Sequence, residues 1–165
     1  MKFVLPTLHH PGTKVRDDSE GHGAFMSKRG SRLHKGLDLV GTPGKVIVSP
    51  IDGKFDRVYR PYSSDLQWRG IFIKGPLIWV GMFYLTPYDT LLGCYLKAGQ
   101  EIGIMQDIVK KYGPPMLPHI HLETIIPPTC ATDKRGSLVY GKEIFVDPMI
   151  FVDPMGLSAN PLRSE

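Results

Sequence analysis

The chain has 165 residues and a formal charge of +4, from 20 Lys and Arg against 16 Asp and Glu, a length that suits one domain with a core of its own and no disulfide staples. Cys94 and Cys130 form no Cys-x-x-Cys pair, so neither a disulfide framework nor a cysteine zinc site is suggested; no apolar run is long enough to span a bilayer, so no membrane insertion is expected; and no basic run or basic-aromatic interleaving points to nucleic acid. The 15 prolines and 18 glycines interrupt nearly every stretch that could become a helix, while Val, Ile, Phe and Tyr gather between them, which predicts an all-β, β-rich protein.

In chain order, residues 1–20 are polar and contain Pro and Gly, reading as an N-terminal extension or edge strand. The stretch Met1-Lys-Phe-Val-Leu-Pro6 is too short for a signal peptide. The core domain, 21–155, begins near Gly21. Strands are predicted at Leu37–Val40, Lys45–Ser49, Lys54–Tyr59, Gly70–Lys74, Leu77–Leu85, Glu101–Met105 and His119–Ile125, joined by turns such as Thr42-Pro-Gly44, Ile51-Asp-Gly53, Lys74-Gly-Pro76 and Lys97-Ala-Gly99. One short helix is placed within Ile104–Tyr112, ended by Gly113-Pro-Pro115. Near the C-terminus Ile144-Phe-Val-Asp-Pro-Met149 repeats at once as Ile150–Met155, a unit too short for a solenoid and read as fixing a tail against the core. Residues 156–165 read as a mobile tail.

The chemistry concentrates in two places, His34-Lys-Gly-Leu-Asp38 and His119-Ile-His121. Gly36 argues against a helix at the first, and in an extended segment residues two and four apart share a face. Two neighbouring strands carrying these pairs would bring four side chains to one point, enough for three zinc ligands with a fourth group beside them. A catalytic zinc takes three such nitrogen and oxygen ligands and keeps one position open. Glu123, on the same strand face as the second pair, reads as a hydrogen-bond partner of a ligating histidine. His9, His10 and His22 read as loop or surface residues. Trp68, Trp79, Phe72 and Phe83 read as core or groove wall.

The series Gly21-x-Gly23-x-Phe25-x-x-x-Arg29-Gly-Ser-Arg32-x-His34-x-Gly36-x-Asp38, Gly41-Thr-Pro43, Pro50-x-Asp52-Gly53, Gly99-Gln100-x-Ile102-Gly103, Pro118-His119-x-His121-x-Glu123 and Val146-Asp147-Pro148 resembles, in that order, the lysostaphin-type zinc endopeptidases that cut peptidoglycan cross-bridges. The resemblance implies a compact antiparallel sheet domain with a groove, of the duplicated-hybrid-motif type. It implies Zn2+ on His34, Asp38 and His121, His119 as general base or acid, and the peptide stems of peptidoglycan as partners. In one respect the chain departs from the family: where a catalytic histidine is expected, the segment Val80-Gly-Met-Phe-Tyr-Leu-Thr-Pro87 carries Tyr84. That segment is similar to one in leukocyte cell-derived chemotaxin, a secreted signalling relative with the same fold and zinc site, while the stretch Gln106-Asp-Ile-Val-Lys-Lys-Tyr-Gly113 looks closer to bacterial and phage members that also carry Tyr in place of the histidine. Tyr84 is either a donor to the oxyanion of a tetrahedral intermediate or a core aromatic. Arg29 and Arg32 either bind a substrate carboxylate or pair with an acid to hold their loop. Two functions follow: a zinc peptidase of the bacterial wall, or a zinc-stabilised binding module. A wall-cutting chain made in the cytoplasm without an export signal would need delivery, for which a phage tail, baseplate or other injection device would serve.

Overall fold

The computed structural model describes residues 1–135 and 137–152. Two short hairpins come first, β1 (Asp17–Asp18) with β2 (Gly21–His22) and β3 (Lys28–Arg29) with β4 (Arg32–Leu33). There follow β5 (Leu37–Val40), β6 (Val46–Val48), β7 (Gly53–Tyr59), β8 (Gly70–Lys74), β9 (Trp79–Phe83) and β10 (Leu85–Pro87). The rest are β11 (Tyr95–Leu96), β12 (Glu101–Met105), a one-turn helix α1 (Val109–Tyr112), β13 (His119–Ile126), β14 (Cys130–Thr132), β15 (Leu138–Tyr140) and β16 (Ile144–Val146). Among the described residues the fold is β-rich with one short α-helix, and the β content is what the composition predicts.

The main antiparallel sheet has the order β11-β7-β8-β9-β13-β16, with β5 also paired to β13, and a smaller sheet has the order β10-β12-β6. Strand β13 organises the first. Its start pairs with β5, placing His121 opposite Asp38, its middle pairs with β9, placing His121 opposite Phe83, and its end pairs with β16. Side chains alternate across a strand, so Ile120 and Leu122 join Leu37, Leu39, Ile71, Ile73, Val80 and Met82 in the core, and Asp38, His119, His121 and Glu123 emerge on the other face. Each such core side chain, fully buried, contributes about 1.5–3 kcal/mol, so the face that carries the polar cluster rests on a well-anchored sheet.

Several local expectations are revised. Leu77–Leu85 is not one strand: Tyr84 adopts φ 70°, the amides of Tyr84 and Leu85 both donate to the Arg69 carbonyl, and the chain passes there from the main sheet to the smaller one. The helix expected within Ile104–Tyr112 is present as Val109–Tyr112, ended by Gly113 (φ 75°), and Ile104 and Met105 stay in the expected strand β12, where Met105 pairs with Leu85. His34 is not on the strand that carries Asp38. It lies in the bend before β5, its amide donating to the Ser27 carbonyl and its carbonyl accepting from Met26. His10 lies in a loop, as expected, but is buried there, its ring bridging the Val46 carbonyl at 2.7 Å and the Thr42 amide at 2.9 Å.

Residues 1–20 lie along the sheet. The Val4 amide donates to Pro50, the Val48 amide to Pro6 and the Arg16 amide to Asp38, and Val15 bridges Leu39. The first hexapeptide copy forms β16, and the turn Pro148–Phe151 runs across the junction of the two copies, capped by Asp147, which accepts from the Met149 amide at 2.9 Å. Phe151 of the second copy stacks on Phe3. Asp153, Pro154 and Met155 of that copy, and the tail at 156–165, lie outside the described residues.

Candidate functional site

Three donor atoms from two separate segments meet on the outer face of β13. His34 Nε2 lies 3.0 Å from His121 Nδ1 and 3.1 Å from Asp38 Oδ1, and His121 Nδ1 lies 2.9 Å from Asp38 Oδ1. These spacings are slightly under the about 3.4 Å edge of a tetrahedral site with ~2.1 Å bonds. Each donor has its other polar atom occupied elsewhere. His34 Nδ1–H donates to the Ala24 carbonyl at 2.9 Å, and His121 Nε2–H donates to Glu123 Oε1 at 3.3 Å. The free lone pair of each ring is thereby turned inward, the arrangement by which a metal-ligating histidine is fixed in tautomer and angle. The donor set is therefore that of a borderline cation such as zinc.

Electrostatics point the same way. Burial works against a charged His121 imidazole, but hydrogen bonds to Asp38 and Glu123 overcome it and raise the pKa to about 9. Burial would raise the Asp38 pKa, yet the hydrogen bonds from His121 and His34 hold it well below the usual carboxylate range. Asp38 and Glu123 thus favour a positive charge on the His121 ring between them.

Residues outside the sequence motifs complete the site. Asp38 is 3% exposed, and its Oδ2 receives Arg16 Nε at 3.1 Å, Arg16 Nη2 at 3.1 Å and Arg29 Nη2 at 2.8 Å. Arg29 thus pairs with an acid while also lining the groove. Arg32 is exposed on the rim. Behind Glu123, the Tyr59 hydroxyl donates to Oε2 at 3.2 Å, and the Tyr59 ring stacks on Phe83, which stacks on His121. Glycines allow the close approach. A Cβ on Gly36 would stand 2.5 Å from the Leu122 carbonyl oxygen and 2.8 Å from the His121 ring.

His119 stands beside the cluster. Its Nδ1–H donates to the Leu117 carbonyl at 2.7 Å, which leaves Nε2 with a lone pair, 3.9 Å from Asp38 Oδ1. Burial lowers its pKa and outweighs the attraction of Asp38, so the ring is neutral at pH 7. The Tyr84 ring meets His119 edge-on at 5.3 Å. Burial raises the Tyr84 pKa to about 12, and its hydroxyl lies 3.1 Å from that of Tyr62, itself 2.6 Å from that of Tyr112. The whole cluster lines a groove of about 890 Å³, with Phe25, Arg32, Lys35 and Phe145 among its other walls. Sequence reasoning did not reach Arg16, Tyr59, Tyr62 or Tyr112, none of which lies in a spaced motif.

No family model matches the chain. Leukocyte cell-derived chemotaxin-2 from Mus musculus is 30% identical over 107 residues, covering 64% of this chain and 69% of that protein. The catalytic domain of lysostaphin from Staphylococcus simulans superposes with a TM-score of 0.56 at 19% identity, covering 90% of this chain and 97% of that domain. Lysostaphin in solution superposes with a TM-score of 0.56 at 19% identity over 96% of this chain, which spans 55% of that longer protein. Fold, relatives and the ordered series of motifs agree, and the chain belongs to the lysostaphin-type metalloendopeptidase family, together with leukocyte cell-derived chemotaxin-2.

Proposed function

We propose that the chain is a zinc-dependent endopeptidase that hydrolyses peptide cross-links of bacterial peptidoglycan. The observation that carries this reading is the convergence of His34 Nε2, Asp38 Oδ1 and His121 Nδ1 at the floor of an open groove, with the free nitrogen of His119 turned to the same place. Zinc held by these three atoms would supply a Lewis acid and a water acidified to a pKa of about 7. His119 is neutral at pH 7, so Nε2 accepts the proton of the attacking water and returns it to the leaving amine. Tyr84 stays protonated and donates a hydrogen bond to the oxyanion, a task its pKa suits better than that of a base. Arg32 offers a fork to a carboxylate of the stem peptide, and the aromatic walls at Phe25, Tyr62 and Tyr112 exclude water from its apolar parts.

Zinc-loaded protein incubated with purified peptidoglycan should release new amino termini, and His119→Ala should abolish release while retaining zinc. Stoichiometric zinc with no release from the unaltered protein would instead identify a zinc-stabilised binding module. The presence of Tyr84 in place of the family histidine is the observation that favours this second reading.

A further inference from the structure

Arg16 is 2% exposed and is not solvated like an ordinary arginine. Nε and Nη2 both reach Asp38 Oδ2, and Nη1 reaches Asp18 Oδ1 at 2.5 Å. The other Asp18 oxygen accepts from the Leu117 amide at 2.9 Å, and the Leu117 carbonyl accepts from His119 Nδ1. The backbone is pinned as well: the Arg16 amide donates to Asp38 and its carbonyl accepts from Gly23. A Cβ on Gly23 would lie 2.7 Å from Asp38 Cβ and 2.9 Å from Arg16 Cβ, so that glycine makes room for this contact.

We propose that Arg16 is a positioning residue of the metal centre, anchored by Asp18, which selects the oxygen that Asp38 presents to the metal. The inference rests on the zinc reading above. A carboxylate has two oxygens and can grip a metal through either or both. Here the two arginines place three N–H groups on Oδ2 and leave Oδ1 facing the histidines, so Asp38 ligates through one oxygen and the remaining positions stay available for water and substrate. An ion pair that merely tied down the N-terminal segment would have no reason to spare one oxygen. The planar fork is essential, because it spans Asp38 and Asp18 at once, which an ammonium point charge does not do.

The test measures zinc affinity by chelator competition and the visible spectrum of the cobalt-substituted protein, for the unaltered chain, Arg16→Met, Arg16→Lys and Asp18→Asn, with near-UV circular dichroism to establish folding. Arg16→Met should lower zinc affinity about 10- to 100-fold and alter the cobalt bands, as Asp38 gains freedom to swing or to bind through both oxygens. Arg16→Lys should not restore either property, and it decides the matter alone if Arg16→Met does not fold. Asp18→Asn should move the cobalt bands in the same direction. Zinc affinity within twofold of the unaltered chain in a folded Arg16→Met, or full recovery with lysine, would overturn the inference; unchanged bands in Asp18→Asn would remove the anchoring role. An unaltered chain that takes up neither zinc nor cobalt would instead overturn the zinc reading itself.

Discussion

Tyr84 combines a backbone that few tyrosines adopt with a side chain at the edge of the chemistry. A positive φ at a bulky residue costs of order 1–3 kcal/mol and persists only where its surroundings enforce it. The enforcement here is visible in the two amides that share the Arg69 carbonyl and in the ring wedged between His119 and Trp68. The hydroxyl is the one part of the side chain that packing does not explain. Replacing Tyr84 by Phe keeps the ring contacts and deletes that hydroxyl, so zinc affinity should hold while kcat falls about 100- to 1000-fold, the usual loss for one oxyanion donor. Steady-state kinetics beside a zinc titration separates the two quantities. An unchanged kcat would reduce Tyr84 to a packing aromatic.

The pairing of β5 with β13 converts two short motifs into one site, and its tightest point is Gly36. An added methyl there faces the Leu122 carbonyl, a backbone atom that cannot rotate away, so Gly36→Ala must push β5 off β13. The expected cost is about 1–3 kcal/mol of overpacking, with zinc affinity lost as Asp38 and His121 separate. Thermal melts and a zinc titration check both, and a normal melting temperature with normal zinc uptake would show that the strands yield without harm. This element also shows what a sequence can disclose. The alternation His119, His121, Glu123 on one face and Ile120, Leu122 on the other is a period-two pattern that any strand must obey, and turn-forming Gly and Pro bracket Leu37–Val40 and Gly70–Lys74 so tightly that their limits could be read directly. The break at Tyr84 carries no such mark, because a left-handed residue is ordinarily announced by glycine. Ile104 and Met105 fit helix or strand equally until a partner strand is present to decide. Arg16 was illegible for a related reason: a buried fork and a solvated side chain have the same spelling, and Asp38 lies 22 residues further on.

Over the whole molecule, the charge trapped at the site couples stability to both pH and metal. His121 has a pKa of about 9 in the folded protein against about 6.5 in an unfolded chain. Its contribution is therefore fully present below pH 6.5 and is lost as pH rises through 9, because the folded state binds the proton more tightly. His10 and His119, whose pKa values burial lowers, act in the opposite sense and below pH 6.5, where acid must charge rings that the fold keeps neutral. Between pH 6.5 and 9, protein freed of metal by a chelator should thus lose melting temperature steadily. Zinc requires the same Nδ1 lone pair that the proton occupies, and a ligand that binds only the folded protein stabilises it the more, the tighter it binds. Metal and proton then compete, and the rise in melting temperature on adding zinc should grow from pH 6.5 to pH 9 as the competitor departs. Melts by circular dichroism across that range, with chelator and with saturating zinc, measure the two curves together. A zinc increment that stayed flat or shrank with rising pH would mean that the proton on His121 and the metal do not share a site, and the convergence of His34, Asp38 and His121 would then need another explanation than zinc.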